Sequence, residues 1–278
     1  MSFRAKALMA LRHHGNVVLV TVNSVVGSAP REVGAQMLIT PEGFLGSIGG
    51  GTLEWQAMAQ AQAMLQKRQN FRASNFVLGP DLGQCCGGRV GLAMQRHSDA
   101  TSLALAIGDK PKRQLILFGA GHVGRALVLI LAQSEFDIVW VDPRPQAFPE
   151  ATPQNVRVQN GLNPLVELVD VPQRSLVLVM SHSHELDFAI TDTALRQSEV
   201  AKLGLIGSNT KRARFLSRLR AAGHTDDRLQ DLICPIGTGG ITSKKPYGIA
   251  LSTAAQLVAL DEALSLTQTV GMVKVHLS

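Results

Sequence analysis

Two adjacent cysteines, Cys85 and Cys86, lie in a glycine-rich stretch of the chain. The neighbouring residues carry too little side chain to bury both thiols, and a disulfide between neighbours would close a strained ring. Arg89 follows closely and favours the thiolate, which is the form that ligates soft metals or attacks electrophiles. The pattern therefore predicts a chemical role for the two thiols, the alternative being a turn in which they are adjacent by chance.

Two other glycine-rich turns precede the cysteines. The run Gly49-Gly50-Gly51 comes just before a predicted helix, where free backbone N–H groups can cradle an anion, and Glu54 can interact with the same amides. The Gly-Ser-Ala-Pro turn at 27–30 is followed by the basic side chain of Arg31. The sequence of this region holds no Ser/His/Asp or zinc-binding constellation. Together with the thiols, the turns indicate a site for a phosphorylated, thiophilic ligand.

A further loop has the glycine spacing of a dinucleotide-binding turn. Gly119, Gly121 and Gly124 connect an apolar strand at 115–118 to a predicted helix, and such glycines let a phosphate approach the helix N-terminus. Asp142 ends the next strand, 23 positions after Gly119, where a carboxylate can accept hydrogen bonds from a ribose. The context predicts a Rossmann-type domain. Whether that domain binds NAD(P), another phosphorylated ligand or no nucleotide stays open.

Polar side chains follow other strands of the second half. His182, His184 and Asp187 come after a strand that ends at Met180, and side chains of these types bind metals or exchange protons. Their spacing is not a recognised zinc signature, so helix capping and local hydrogen bonding are equal alternatives. Arg144, two positions after Asp142, either favours a 2′-phosphate or lies in solvent.

The composition bounds the classes of function. Aromatic residues make up only 4% of the 278 residues, which argues against stacking surfaces for single-stranded nucleic acid. The net charge of +6 comes without a nucleic-acid-binding motif. A basic stripe on one predicted helix either holds phosphate or an acidic partner or, more commonly, is a solvated face; it consists of Lys211, Arg214 and Arg218.

Localisation follows from what the sequence lacks. No apolar run approaches the roughly 18 residues that span a bilayer, and the N-terminus does not have the pattern of a signal peptide. The three cysteines do not form a disulfide framework. We expect a cytoplasmic protein that binds neither membrane nor nucleic acid.

Hydrophobic periodicity predicts a small mixed α+β domain at 1–97. Its predicted elements are a helix from Phe3 stopped by Gly15, a strand at 17–22, a hairpin at 35–45, a helix from the triple glycine to about Lys67, and strands at 77–78 and 89–94. A polar connecting segment follows at 98–112, with a short helix at 103–107.

The remainder, 113–278, alternates short apolar runs with helical patterns, which is typical of a parallel sheet with crossover helices. Strands are predicted at 115–118, 138–141, 156–158, 176–180 and 203–206, and a final helix at 249–264. The fold class is therefore α/β, with a small mixed α+β N-terminal domain followed by a Rossmann-type, doubly wound parallel-sheet domain.

These motifs, in this order, resemble the xanthine dehydrogenase accessory protein family, which includes the XdhC and CoxI proteins. The resemblance covers nearly the whole chain and rests on residues 27–31, 46–54, 82–88, 118–124, 141–144, 181–184, 204–208 with Lys211 and Arg212, and 234–237. The segment Thr238-Gly239-Gly240 departs from the expected pattern, in a loop without an assigned role.

The resemblance implies a chaperone and not an enzyme. Family members are understood to bind molybdenum cofactor, protect it while it gains its terminal sulfur from a cysteine desulfurase, and hand it to the molybdenum subunit of xanthine dehydrogenase, an enzyme of purine catabolism. It implies that Cys85 or Cys86 contacts the molybdenum or its sulfur, while Cys234 is a weaker candidate with a structural role. A homodimer is the default expectation.

Two rival interpretations remain. An NAD(P)-dependent oxidoreductase would use the second domain, but the sequence offers no convincing acid/base pair for hydride transfer and leaves the cysteine loop unexplained. A nucleotide-sensing binding protein would bind nucleotide but no molybdenum.

Overall fold

The computed structural model describes residues 3–78, 87–108 and 112–275, which fall into two compact units, Met1–Lys110 and Pro111–Ser278. The first unit contains the helices α1 (Phe3–His14), α2 (Gly51–Lys67) and α3 (Ala100–Ile107), and the strands β1 (Val17–Val26), β2 (Gln36–Ile39), β3 (Phe44–Gly46), β4 (Phe71–Val77) and β5 (Arg89–His97).

The five strands of the first unit form an antiparallel sheet in the order β3-β2-β1-β5-β4. Successive side chains of a strand face opposite sides of the sheet. Val18 and Val20 of β1 accordingly pack in the core that contains α2, whereas Val17 and Leu19 pack in a second core with α1 and α3. Both faces of β1 are therefore covered, which explains its run of buried valines and leucine.

Several elements of this unit are longer than the sequence prediction, and β4 and α3 are the most informative of them. Strand β4 begins at Phe71, whereas the sequence predicted a strand only from Val77. The first residues were missed because β4 is an edge strand whose side chains are mostly exposed and give a weak hydrophobic signal. Helix α3 lies within the predicted connecting segment at 98–112. It is capped by the Asp99 side chain and buries Leu103 completely against α1 and β1.

The second unit contains the helices α4 (His122–Ile130), α5 (His184–Arg196), α6 (Asn209–Ala221), α7 (Asp226–Leu229) and α8 (Pro246–Val275), and the strands β6 (Arg113–Phe118), β7 (Phe136–Val141), β8 (Val156–Gln159), β9 (Ser175–Val179), β10 (Val200–Leu205) and β11 (Leu232–Ile233). All six strands are parallel, in the order β11-β10-β9-β6-β7-β8. This order is that of a Rossmann sheet, so the predicted fold class is confirmed.

Helices cover both faces of the parallel sheet. Leu115 and Leu117 of β6 pack in a core with α4 and α8, and Ile116 and Phe118 pack in a core with α5 and α6. The connections on either side of β8 contain only short 3₁₀ turns, Pro145–Ala147 and Pro164–Leu168. The strand order reverses between β6 and β9, so the loops that follow these two strands border the crevice where ligands of such sheets bind.

Among the described residues, no helix has both the length and the hydrophobicity needed to cross a lipid bilayer.

Candidate functional site

The glycine-rich turns of the first unit lie against one another. A Cβ atom on Gly49 would stand 2.3 Å from Cγ of Pro30, and one on Gly88 would stand 2.1 Å from the carbonyl oxygen of Ser28. Ser28 also forms a β-bridge with Gly87. The turn at 27–30 therefore contacts both the triple-glycine loop and the glycine pair that follows the two cysteines, and only glycine permits these distances.

The triple-glycine loop already holds a carboxylate of this chain. Oε1 of Glu54 accepts hydrogen bonds from the Ser47 hydroxyl at 2.6 Å and from the backbone amides of Ile48 at 3.0 Å and Gly50 at 2.9 Å. Burial opposes ionisation of Glu54, but these hydrogen bonds outweigh it and lower the pKa of the carboxyl. The loop amides thus hold the side chain of Glu54, and binding of an external anion at Gly49, Gly50 and Gly51 remains a prediction.

The two arginines predicted for this site are exposed. Arg31 forms an ion pair with Glu32 at 3.4 Å, and both side chains are solvated. Arg89 lies on β5, where its register partners are Val26 of β1 and Val77 of β4, and it follows Gly88 directly. Cys85 and Cys86 lie outside the described residues, so their role remains a prediction.

The three glycines of the Rossmann loop have different surroundings. A Cβ atom on Gly119 would lie 2.3 Å from the carbonyl oxygen of Met180, and one on Gly124 would lie 2.2 Å from the carbonyl oxygen of Gly119. The same Gly119 carbonyl accepts a hydrogen bond from the Trp140 indole at 3.0 Å. Gly119 and Gly124 therefore serve close packing, whereas Gly121 borders open space.

Asp142 is buried beneath this loop, with a side chain only 1% exposed. Its Oδ2 accepts hydrogen bonds from the Ala120 amide at 2.8 Å and Nη2 of Arg144 at 2.9 Å, and its Oδ1 accepts from Nε and the backbone amide of Arg144. Burial disfavours the charged form, but the hydrogen bonds and charge of Arg144 and the Ala120 amide lower the pKa of Asp142. The carboxylate is a fixed anion in an ion pair.

An open pocket of about 300 Å³ lies above the loop. Its wall includes the start of α4 and the side chains of two arginines; the lining residues are Ala120, Gly121, His122, Arg125, Arg144, Gln146 and Ala147. The guanidinium of Arg125 donates to the Ala147 carbonyl oxygen, and that of Arg144 to Asp142. The pocket is therefore cationic and rich in hydrogen-bond donors.

The predicted cluster after β9 does not form a ligand set. Asp187 is buried and accepts hydrogen bonds from the Ser181 hydroxyl at 2.6 Å and from Nζ of Lys211 at 2.6 Å, whereas His182 and His184 are exposed. Over residues 3–78, 87–108 and 112–275, one group of three side chains has the spacing of metal ligands, and it consists of His13, His14 and Glu42 on the surface of the first unit.

Comparison with known families accounts for both units. Residues 115–257 match the model of the XdhC Rossmann domain, and residues 10–73 match the model of the XdhC and CoxI family. The chain belongs to the XdhC family. The family identification made from the sequence motifs is thereby confirmed.

Two proteins of Escherichia coli K12 are similar to this XdhC-family chain. YqeB, an uncharacterized protein, is 30% identical over 241 residues, and PaoD, a molybdenum cofactor insertion chaperone, is 21% identical over 284 residues. The alignments cover 84% and 94% of this chain, but 41% of YqeB and 87% of PaoD. The chain therefore spans less than half the length of YqeB.

A solved structure has the same fold. The crystal structure described as a xanthine dehydrogenase from Bacillus halodurans aligns with this chain with a TM-score of 0.76 and 22% sequence identity. The alignment covers 95% of this chain and 96% of the Bacillus halodurans chain. At this identity the likeness concerns the fold, and it extends over both units of the XdhC-family chain.

One buried interaction of this XdhC-family chain escaped sequence reasoning. Lys211 was predicted to belong to an exposed basic stripe, but it is largely buried in the ion pair with Asp187, and it also donates to the Ile206 carbonyl oxygen at 2.8 Å. Arg218 stacks 3.8 Å from the ring centre of Phe188, and Arg214 is exposed. The three basic residues therefore do not form one continuous exposed stripe. Asp187 and Lys211 lie 24 positions apart in the sequence, and no sequence pattern indicated that they pair.

The third cysteine lies near this ion pair. Cys234 is buried, and a Cβ atom on Gly207 would lie 3.3 Å from its Sγ and 2.7 Å from Cδ of Lys211. Burial raises the pKa of the Cys234 thiol, although Lys211 and Arg212 act in the opposite direction. A buried, protonated thiol fits the structural role expected for it.

Proposed function

We propose that this protein is a maturation factor that binds molybdenum cofactor, protects it during addition of its terminal sulfur, and delivers it to a xanthine dehydrogenase-type enzyme. The observation that carries the proposal is the contact of the turn at 27–30 with both Gly49 and Gly87-Gly88. Two glycine-rich turns and the end of the cysteine loop thereby meet in one region of the first unit. Membership of the XdhC family and similarity to PaoD give this region its context.

The residues of this region suit the cargo. The cofactor carries a thiophilic molybdenum and a phosphate on its pterin, and cysteine thiolates are the protein ligands that soft metals select. We assign the contact with molybdenum or its sulfur to Cys85 or Cys86, and we assign Arg31 and Arg89 to the anionic parts of the cargo. Gly50 and Gly87 have open space where a side chain would stand, so cargo can approach the backbone closely there.

The proposal includes three partners. A cysteine desulfurase supplies the sulfur, the molybdenum subunit of a xanthine dehydrogenase receives the loaded cofactor, and a second copy of this chain completes a homodimer. Transfer from one protein to another requires binding that can be reversed, so the exposed position of Arg31 and Arg89 suits a carrier better than a permanent cofactor site.

The test is elemental molybdenum and released pterin in protein purified anaerobically from a host that makes the cofactor. The wild type is expected to carry both, and the double variant Cys85→Ser/Cys86→Ser is expected to lose both while its thermal unfolding is unchanged. The single variants then show which thiol makes the contact. Cys234→Ala removes a thiol from the second unit and serves as the control. Retention of cofactor by the double variant at the wild-type level would refute the assignment.

The NAD-dependent form of the rival oxidoreductase loses one supporting feature. NAD needs an acceptor for its ribose hydroxyls at the end of the second strand, and Asp142 has no exposed acceptor to offer. Turnover of any substrate with NADH or NADPH would restore that candidate.

A further inference from the structure

The pocket above the Rossmann loop is set up for an anion and lacks the acceptor that a ribose requires. In sheets of this order, a carboxylate at the end of the strand equivalent to β7 receives the hydroxyls of a bound nucleoside. A carboxylate has about four lone-pair sites for hydrogen bonds. Asp142 receives four hydrogen bonds, one from Ala120 and three from Arg144, and its side chain is only 1% exposed. No capacity is left for a ligand hydroxyl.

Arg144 changes the chemistry of this position. Its guanidinium grips Asp142 with Nε and Nη2, both at 2.9 Å, and 41% of its side chain remains exposed in the wall of the pocket. Where a dinucleotide-binding domain presents an acceptor, this domain presents a donor that carries a positive charge. A bidentate pair holds the planar guanidinium in one orientation, which leaves Nη1 to meet a ligand.

Two other donors of the pocket lie near Arg144. Arg125 is held by the Ala147 carbonyl oxygen through Nε and Nη2, and among the described residues Nη1 of Arg125 and Nη1 of Arg144 have no protein acceptor. Helix α4 begins at His122, so the amides of its first turn have no partner within the helix. The residues that line the pocket include no carboxylate, and Arg144 pairs with Asp142, which is buried.

We propose that this pocket binds the phosphate of a phosphomonoester through Arg125, Arg144 and the start of α4, and that it rejects an unphosphorylated ribose. A phosphomonoester dianion offers three acceptor oxygens to these donors, and the helix N-terminus adds a favourable field. Two sources supply this group, the 2′-phosphate of a dinucleotide and the terminal phosphate of a pterin cofactor. The inference concerns the second unit and does not depend on the cargo site proposed in the first.

The matched ligands NADPH and NADH test the proposal, because they differ by one 2′-phosphate. Calorimetric titration of the full chain is expected to give at least about tenfold tighter binding of NADPH, the effect of one added charge-assisted contact, with competition by inorganic phosphate. The oxidised pterin released from the cofactor, before and after phosphatase treatment, forms the second arm. Preference for the phosphorylated form in either arm supports the pocket and identifies the source. Equal affinities within both pairs, or no binding in either, would overturn it.

Variants locate the binding. Arg125→Gln keeps a hydrogen-bonding side chain near Ala147 and is expected to weaken binding of the phosphorylated ligand about tenfold without affecting folding. Arg214→Ala removes an exposed arginine from α6 and is the charge-matched control, expected to leave affinity unchanged. Equal losses in both variants would reduce the effect to net charge and refute the site. Cys85→Ser/Cys86→Ser is expected to bind the ligand normally, so failure of the cargo proposal and failure of this one are distinguishable.

Discussion

The two glycine loops of this protein both bind a carboxylate of their own chain, but they bind it differently. Glu54 enters the triple-glycine loop from the first turn of α2 and is held by Ser47 and backbone amides. Asp142 enters the Rossmann loop from the end of β7 and is held by Ala120 and by Arg144. Among the described residues, Glu54 has no basic partner, whereas the charge of Asp142 is neutralised.

This difference decides what each loop can accept. At the triple-glycine loop, the amides themselves are the anion site, and an external anion must compete with Glu54 for them. At the Rossmann loop, the buried carboxylate is permanent, and the arginine that neutralises it supplies the new binding surface. At the first loop, an external anion can therefore replace Glu54. At the second loop, Asp142 stays in place, and a ligand binds in the cationic pocket beside it.

The largest expected effect on the free energy of unfolding distinguishes Gly119, which is closely packed, from Gly121, which borders the pocket. Gly119→Ala places a methyl group 2.3 Å from the Met180 carbonyl at a φ of 115°, so we expect a loss of at least about 4 kcal/mol in the free energy of unfolding. Gly121→Ala meets no atom within 4 Å and should change stability by less than about 0.5 kcal/mol. Denaturant titrations of both variants check this, and similar losses would contradict the assigned roles.

The next effect compares the two carboxylates directly. Asp142→Asn removes the charge of a buried carboxylate and turns an amide group toward the partly exposed Arg144, so a loss of about 2 kcal/mol is expected. Glu54→Gln keeps one acceptor oxygen for the loop amides and should cost about 1 kcal/mol. Chemical denaturation under one buffer condition gives both values. A larger loss for Glu54→Gln would show that the unpaired carboxylate is the more important anchor.

A smaller effect tests whether the first loop is open to exchange. Glu54→Ala leaves the Ile48 and Gly50 amides without their acceptor, which is expected to cost about 1–2 kcal/mol. Added sulfate is then expected to raise the melting temperature of this variant, because an anion that binds only the folded loop stabilises it. Glu54→Gln keeps the loop filled and is the control. Equal responses of both variants to sulfate would show that the amides are not the site.

The second unit was predictable because its central strands are mostly buried on both faces and appear as continuous apolar runs, as at Leu115–Phe118. The glycine spacing after that strand and the acidic residue after the next then fix a Rossmann loop. Strand β4 was recognised only at its end, since an edge strand with mostly exposed side chains lacks such a run. The two-residue strand β11 is too short to leave any periodic signal.

The candidate sites were less predictable, for a physical reason. Sequence shows which side chains are near a loop, but hydrogen-bond capacity depends on rotamers and on partners that come from elsewhere. Asp142 looked like a ribose acceptor, and only the structure shows its oxygens turned to Ala120 and Arg144. Asp187 looked like a partner of two histidines, and it is instead buried against Lys211. The roles of Cys85 and Cys86 stay predictions, since they lie outside the described residues.

The smallest expected effect is the acid sensitivity that the two carboxylates confer. The pKa of Glu54 lies below its ordinary value of 4.5, and that of Asp142 lies below its ordinary value of 3.8. A carboxyl with a lowered pKa in the folded state contributes stability that is fully present above the ordinary pKa and is lost as the pH falls through the lowered one. Below pH 4.5, the wild type should therefore lose stability faster than Glu54→Gln.

The double variant Glu54→Gln/Asp142→Asn completes the comparison, because neither loop then holds its carboxylate. Its denaturation midpoint should be lower than that of the wild type at neutral pH but should fall less on acidification. Since Glu54 has the higher ordinary pKa, the benefit of Glu54→Gln should be evident first as the pH falls, and that of Asp142→Asn at more acidic pH. Parallel pH profiles for wild type and both single variants would mean that neither carboxylate has the ionised, hydrogen-bonded state on which the contrast between the loops depends.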